Sequence, residues 1–535
     1  MASILDPPIP VKITKMKSRV CWQHPAIRDR KIDQTQLALH LDSPQDTSEF
    51  SFLVIGDSGS GPHTDHNPQR RVAEAMVPHL QDCQFLLHTG DVVYRVGSSE
   101  QYPKNFIQPY REWLVGGDRP ERIAYDQMVF QFPFLAVPGN HDYYNLPWAY
   151  GLFTQVARPL RRLLGVNLNP NVGWHGSFDG DAYARAFLDY LKALPPEALA
   201  SHLDAHYTDH NETGRCLTYQ PGKFTRLPNR YYSFRYGDID FFALDSSTFN
   251  TPSPPPKGPA GHDQRRLLWA QLDSATAEKQ QILEEAAQLK EQGPHGQERL
   301  DDLQAKIEQL DEVLLDIEKQ LNAPSAVMVD AEQLIWLKDR LVASWQNPQV
   351  RGRVLFFHHP PYVTEVTKWH QGQTLAVRHH LRWVLDEVAR ELGKDLRQLA
   401  DPVYGQQPLV DLVICGHAHC FEYLRTLSTG HADSHINWLV CGGSGLSLRR
   451  QRPDGAELFE TRFSETAPGT AESRLVAKSQ LYVGLSGHKT ERRRPYSFLR
   501  IDVKPGTPPQ FVIRLHVSER YHQDWSEYDL DPLVI

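Results

Sequence analysis

Five short apolar runs recur along the chain, and each stops at a residue able to turn or to carry chemistry. Ser51-Phe52-Leu53-Val54-Ile55 ends in Gly56-Asp57, and Phe85-Leu86-Leu87-His88-Thr89 ends in Gly90-Asp91. Phe134-Leu135-Ala136-Val137 ends in Pro138-Gly139-Asn140, Val354-Leu355-Phe356-Phe357 in His358, and Leu412-Val413-Ile414-Cys415 in Gly416-His417. Runs this short, closed by turn residues, predict buried strands. Helical patterning falls between them, from Pro68 to Leu80 and from Arg378 to Leu392. Alternating strands and helices predict an α/β core. In sheets of parallel strands, ligands gather at the strands' C-terminal ends, where every one of these motifs lies.

Further patterns add a second sheet. Tyr231 to Tyr236 and Ile239 to Asp245 alternate aromatic and polar residues around Gly237-Asp238, a β-hairpin signal. Tyr496 to Ile501 and Phe511 to Leu515 read as a closing pair of strands. The expected fold is therefore two mixed β-sheets packed as a sandwich and flanked by helices. A heptad seam, Leu300, Leu303, Ile307, Leu310, Leu314, Ile317 and Leu321, faces a weaker one, Leu272, Ala275, Lys279, Ile282, Ala286 and Leu289, across the breaker Gly293-Pro294-His295-Gly296. This predicts an inserted antiparallel helical hairpin within 262–345, either a spacer or lid without chemistry or a surface for self-association or a protein partner. Residues 1–50 read as a lead-in, 51–518 as the catalytic domain with further insertions at 143–229 (helical or irregular) and 450–494 (a polar loop), and 519–535 as a tail.

Composition narrows the class. A chain of 535 residues with 40% hydrophobic residues has material for a large core. The net charge of -8 and the absence of a long basic run give no footprint for nucleic acid. Arg492-Arg493-Arg494, after Glu491, reads as a solvated loop. No stretch approaches the ~18 apolar residues of a membrane span. The N-terminus lacks a signal peptide's apolar stretch, so a cytoplasmic location is expected, with the 6 scattered cysteines reduced.

The motifs at the strand ends supply carboxylate, phenol, amide and imidazole donors, a set suited to hard or borderline cations such as iron, zinc or manganese. Gly56-Asp57-Ser58-Gly59, Gly90-Asp91-Val92-Val93-Tyr94, Gly139-Asn140-His141-Asp142, His358-His359-Pro360 and Gly416-His417-Ala418-His419 together resemble the calcineurin-like metallophosphoesterase superfamily, and within it the purple acid phosphatase branch. The resemblance covers roughly 50–142, 230–250 and 330–518, less the polar loop, and it implies an αββα sandwich. Much of that superfamily opens with Asp-x-His. Here the first motif has no histidine, and Tyr94, three residues after Asp91, stands in, as in purple acid phosphatases.

On that resemblance, Asp57, Asp91, Tyr94 and His419 would hold a first metal ion, iron as Fe(III). Asp91, Asn140, His358 and His417 would hold a second, Fe(II), Zn(II) or Mn(II), with Asp91 bridging. His359 would be a buried neighbour of the centre. His141 matches the family's catalytic histidine. Asp142 either orients it or is a plain turn carboxylate. Lys368-Trp369-His370 resembles a substrate-contacting stretch, which makes His370 a substrate candidate. His63, His66 and His88 are read as structural or surface residues. The implied activity is hydrolysis of phosphate esters, foremost monoesters, by in-line attack of a metal-bound hydroxide. The alternatives are a phosphodiesterase acting on nucleotides or lipid head groups, and a partner-binding scaffold that uses the hairpin and keeps a vestigial site.

Overall fold

Each apolar run ending in a motif is a strand, and the strands divide between two sheets. A computed structural model describes residues 4–41, 48–59, 66–146, 176–255, 257–288, 293–323, 328–400, 407–463, 471–488 and 491–535. One sheet has 7 strands: its path runs Asp524–Asp529, Gln510–Tyr521, Arg493–Lys504, Phe50–Ile55, Leu86–His88 and Phe134–Ala136, with Leu533–Val534 paired beside Gln510–Tyr521. The last three strands of that path are parallel. The other sheet has 11, with Gly352–Phe357 and Leu412–Cys415 parallel neighbours at its middle. Both sheets are mixed, and helices flank them. The hairpin forms as Tyr232–Tyr236 and Ile239–Ala243 around a turn with φ of 54° at Gly237 and 60° at Asp238.

Side chains alternate across the central strands. Val354, Phe356, Leu412 and Ile414 enter the core between the sheets, with Phe52, Phe85 and the stacked pair Phe234 and Phe241, whose ring centroids lie 4.8 Å apart. Leu355, Phe357, Val413 and Cys415 face outward against Leu337, Leu341, Leu381 and Leu385 of the helices Ala331–Gln346 and Gly372–Glu391. A strand buried on both faces reads as an unbroken apolar run, which is why these strands were visible in the sequence.

Several boundaries differ from the sequence reading. The lead-in contains the helix Ile9–Arg19 and the strand Ile32–Leu39, which joins the larger sheet between Tyr232–Tyr236 and Gly214–Tyr219. Lys12 of that helix is buried and pairs with Asp6 at 2.7 Å. The expected polar loop contributes Glu457–Phe463 and Ala471–Val483 to the larger sheet, and the expected tail contributes Asp524–Asp529 to the smaller. Strands pair through backbone groups that any sequence supplies, so polar side chains concealed these. Within 143–229, the described part carries the helices Asp181–Phe187 and Pro196–His206 and the strands Asp209–Asn211 and Gly214–Tyr219, while 147–175 lie outside the described residues. All 6 cysteines are free. No helix among the described residues is long and apolar enough to cross a membrane.

The helical insertion is a pair of arms, Pro259–Gln288 and Gly293–Leu321, of 30 and 29 residues. At 1.5 Å per residue each spans about 45 Å. Ala275, Ile282 and Ala286 pack on Leu303, Ile307 and Leu310, while Leu289 lies outside the described residues. The second arm does not project freely. Its Leu315 packs on Val96, Tyr144 and Leu146 beside the motif edge.

Candidate metal centre

The C-terminal ends of the parallel strands in both sheets converge on one spot. Asp57, Asp91 and His417, each the first residue after a strand-ending glycine, have φ of 52°, 56° and 67°. Left-handed backbone costs a non-glycine residue roughly 1–2 kcal/mol and persists where the surroundings over-determine it. The metal-ligand candidates themselves therefore carry the turn. The glycine at 139 serves close approach instead, since a Cβ there would lie 2.1 Å from Asp91 Oδ1.

The seven ligand candidates are no more than 3% exposed. They fall into two groups that share one carboxylate. Tyr94 Oη lies 2.9 Å from Asp57 Oδ1 and 3.4 Å from His419 Nε2. His358 Nε2 lies 2.9 Å from Asn140 Oδ1, and its ring centroid is 5.0 Å from that of His417. Asp91 Oδ2 sits between the groups, 2.7 Å from Tyr94 Oη and 3.2 Å from His358 Nε2. The other oxygen of Asp91 accepts the His141 backbone N–H at 2.8 Å, which fixes the carboxylate's orientation.

Outer contacts aim the imidazoles. His358 Nδ1 donates to the Thr89 carbonyl at 2.9 Å, and His419 Nδ1 to the Ser447 carbonyl at 3.1 Å. A carbonyl only accepts, so Nδ1 carries the proton and the Nε2 lone pair points inward, the usual support for a metal-ligating histidine. His359 also lies near His358 and His417. However, its Nδ1 meets Ser246 Oγ at 2.8 Å and its Nε2 meets Asn250 at 3.2 Å, so both ring nitrogens are taken. Of the two, His358 is the one whose Nε2 faces other ligand candidates, Asn140 and Asp91.

The donor chemistry fits cations. Burial pushes the Asp57 carboxyl up to about 7, opposed by His358 and reinforced by Asp91, and burial also raises the Tyr94 phenol well above its usual range. Burial pulls His358 down, but the Asp91 and Asp57 carboxylates outweigh it and hold the ring at about 9. With protein groups alone, protons on Asp57, Tyr94 and His358 stand in for positive charge around Asp91, whose carboxyl His358 and His141 hold well below the usual range against burial. Two cations would take that place.

His141 lines a cavity of about 130 Å³ that reaches the centre at Tyr94, with Arg95, Tyr144, Leu315 and Glu312. Its ring lies 4.3 Å from Tyr94 and 4.8 Å from Tyr144, centroid to centroid. Its Nδ1 meets the Arg95 carbonyl at 2.5 Å. That carbonyl orients the ring, and Asp142 takes neither of the two roles the sequence left open, orienting His141 or standing as a plain turn carboxylate. Asp142 is fully buried and accepts backbone N–H groups from Gly139 at 2.8 Å, Asp91 at 3.0 Å and Val92 at 3.2 Å, stapling two motif loops together. His370 is exposed and does not line the cavity. Its neighbour Lys368 points inward instead, with Nζ 3.1 Å from His417 Nε2. His88 is buried between Ser58 Oγ at 2.8 Å and the Gly90 N–H at 3.1 Å, and burial pulls it down to about 3, a structural role. His66 pairs with Arg520, and His63 lies outside the described residues.

The sequence reading did not find Arg449 or Glu312 at the centre, and within Lys368-Trp369-His370 it singled out His370 rather than Lys368. Glu312 Oε2 lies 2.6 Å from Lys368 Nζ, and its Oε1 lies 3.8 Å from Arg449 Nη2. Arg492 and Arg494, expected in a solvated loop, both pair with Asp302 of the same helical arm, Arg494 at 2.8 Å.

A family model for calcineurin-like phosphoesterases matches residues 50–314. The match spans Asp57, Asp91, Tyr94, Asn140 and His141, and it stops before His358, His417 and His419, which the fold brings to the same place. Comparison with curated proteins finds no significant match. Among solved structures, the chain is similar to purple acid phosphatase PPD1 from yellow lupin (Lupinus luteus) seeds, with 12% identity and a TM-score of 0.39, over 92% of this chain and 54% of that one. The chain thus spans about half that protein's length. It is also similar to GAP50, the anchor in the inner membrane complex of Plasmodium, with 10% identity and a TM-score of 0.37, over 91% of this chain and 89% of that one. Over residues 50–314, just under half of its length, the chain matches the calcineurin-like phosphoesterase family.

Proposed function

We propose that the protein hydrolyses phosphate esters with two bound metal ions, and that its substrates are phosphomonoesters. One observation carries this reading: two buried donor groups, Asp57, Tyr94 and His419 on one side and Asn140, His358 and His417 on the other, share Asp91, and Tyr94 and His141 line a cavity beside them. Bound metals would neutralise phosphoryl charge and lower the pKa of a water molecule. A phenolate is a hard anionic donor, which favours Fe(III) in the Tyr94 group and leaves Fe(II), Zn(II) or Mn(II) for the other. Tyrosine in place of the first-motif histidine favours monoesters, as in the branch the motifs resemble.

The chain's own groups orient and protonate. The Arg95 carbonyl holds the Nδ1–H of His141, which leaves Nε2 to deliver a proton to the leaving-group oxygen. Tyr94 and Tyr144 both pack against the ring and limit its swing. The backbone N–H of His141 fixes Asp91 from behind, so the proton donor and the shared carboxylate move together.

The deciding experiment pairs metal analysis with hydrolysis rates across phosphate monoesters and diesters on the same sample. Two metals per chain with faster monoester turnover supports the proposal, and faster diester turnover overturns the substrate class. A chain holding two metals without any hydrolysis would leave the scaffold reading standing. Iron-loaded protein should absorb in the visible through the tyrosinate, and Tyr94→Phe should bleach it; full iron with unchanged colour would remove Tyr94 from the ligand set. His141→Asn should lower kcat for an alkyl phosphate about 10²–10³-fold, and less for p-nitrophenyl phosphate, whose leaving group needs little protonation. Equal losses on both substrates would rule out proton donation by His141.

A further inference from the structure

We propose that Lys368 and Arg449 form the pair that grips the phosphoryl oxygens of the substrate, and that Glu312 of the inserted hairpin fills their place until the hairpin's second arm lifts. The nature of the anion rests on the phosphoesterase reading, while the contacts stand on their own.

Lys368 and Arg449 are buried cations, their side chains 1% and 5% exposed. Both flank the proposed metal ligands. Lys368 Nζ lies 3.1 Å from His417 Nε2, and the Arg449 backbone N–H donates to the His419 carbonyl at 2.8 Å. Buried charges persist only when paired. Among the described residues, two carboxylates act on both: Glu365, fully buried on the sheet side, and Glu312 of the arm, 12% exposed, the one within 4 Å of each and held down to about 2 by Lys368 and Arg449 against the effect of burial. Glu312 serves Lys368 well and Arg449 poorly. Arg449 Nη1 donates to the Ala305 carbonyl at 2.9 Å, but Nη2 has no hydrogen-bond partner and stands 3.8 Å from Glu312. A carboxylate offers two oxygens to this pair. A phosphoryl group offers three, with more charge, and matches both a lysine point charge and an arginine fork.

The way the arm is held suits displacement. The hairpin keeps its apolar seam to itself, Ala275, Ile282 and Ala286 on Leu303, Ile307 and Leu310. It is fastened to the sheets mainly by polar contacts: Glu308 to Arg95 at 2.6 Å, Asp302 to Arg494 at 2.8 Å, Asp316 to the Gly372 N–H at 2.9 Å and Lys319 to Asp6 at 2.6 Å. A unit with an apolar interior and a polar seat holds its shape when it lifts, and the part-buried polar groups of its seat exchange their partners for water. Lifting removes one carboxylate and frees two cations beside the metal ligands. The hairpin is then a gate that admits only ligands able to outcompete Glu312 for both cations.

The test is calorimetric titration of inorganic phosphate into the full-length, metal-loaded protein. Glu312→Gln keeps the side chain's size and removes its charge, and it should bind phosphate at least tenfold more tightly than the wild type. Equal or weaker binding would overturn the assignment of Glu312. For the gate, Asp302→Cys and Arg494→Cys would be joined by a short bis-maleimide; of the native cysteines, only Cys21 is not fully buried. The unlinked double variant should bind phosphate like the wild type, and the linked one at least tenfold more weakly. Unchanged binding after linking would overturn the lifting step. Phosphate binding is read without turnover, so the two proposals fail separately. The expected binding pattern without ester hydrolysis would sink the phosphoesterase reading alone, and hydrolysis with identical phosphate affinity in wild type and Glu312→Gln would sink this inference alone.

Discussion

Asp91→Asn should cut phosphate-ester hydrolysis by about 10³ or more and lower the metal content per chain. Asp91 is the carboxylate common to both donor groups, with Oδ2 2.7 Å from Tyr94 Oη and 3.2 Å from His358 Nε2. The amide keeps the shape and one oxygen but loses the negative charge that two cations would share. Metal-ion stabilisation of phosphoryl charge is worth several kcal/mol, and about 4 kcal/mol corresponds to 10³ in rate. Asparagine is the informative substitution because position 91 has φ of 56°, a region asparagine tolerates. Alanine would add backbone strain to the loss of charge. The measurements are initial rates on p-nitrophenyl phosphate and elemental analysis of the purified variant. Wild-type metal content with turnover within tenfold of the wild type would refute the sharing of Asp91.

The second large effect is on stability. Arg230→Met should cost about 3–5 kcal/mol, the usual result of removing one partner from a buried ion pair. The Arg230 side chain is 1% exposed and lies 2.5 Å from Asp330 and 3.7 Å from Asp245. Asp330 caps the helix Ala331–Gln346 through the Gln333 N–H and accepts from Thr248 Oγ1 at 3.0 Å. Asp245 accepts from Tyr143, two residues beyond His141, at 2.6 Å. Burial already pushes Asp245 up to about 6 against the pull of Arg230, so losing the guanidinium leaves two acids facing each other in the core. Urea unfolding midpoints read the loss, and the double variant Arg230→Met, Asp330→Asn should lose less than the single one. A shift below about 1 kcal/mol would mean that the pair is not what holds this corner.

Much of the site was legible because it sits where strong local signals end. Asp57, Asp91, Asn140, His358 and His417 each follow a short apolar run, and such runs predict strands by burial alone. The hairpin was legible through its heptad seam, which is likewise a local pattern. Ile32–Leu39 and Asp524–Asp529 were not, because one is half polar and the other almost wholly polar, and both are held by backbone pairing. Asp142 was misjudged for a related reason. A carboxylate after a glycine-rich turn reads as a solvated cap, and only the approach of the Asp91 loop gives it three buried N–H donors.

The sequence by itself determined the donor types and their placement at strand ends, because apolar runs and turn residues act over a few positions. Tertiary structure decided which strands share a sheet, how the donors divide around Asp91, and that Arg95 rather than Asp142 aligns His141. It also decided that the hairpin is neither a bare spacer nor a free arm. Glu312 and Lys368 are separated by 56 residues, and no local pattern links a helix-surface glutamate to a loop lysine. Their meeting follows from how the arm docks over the sheet edge, and in a buried site that contact sets the charge a substrate encounters.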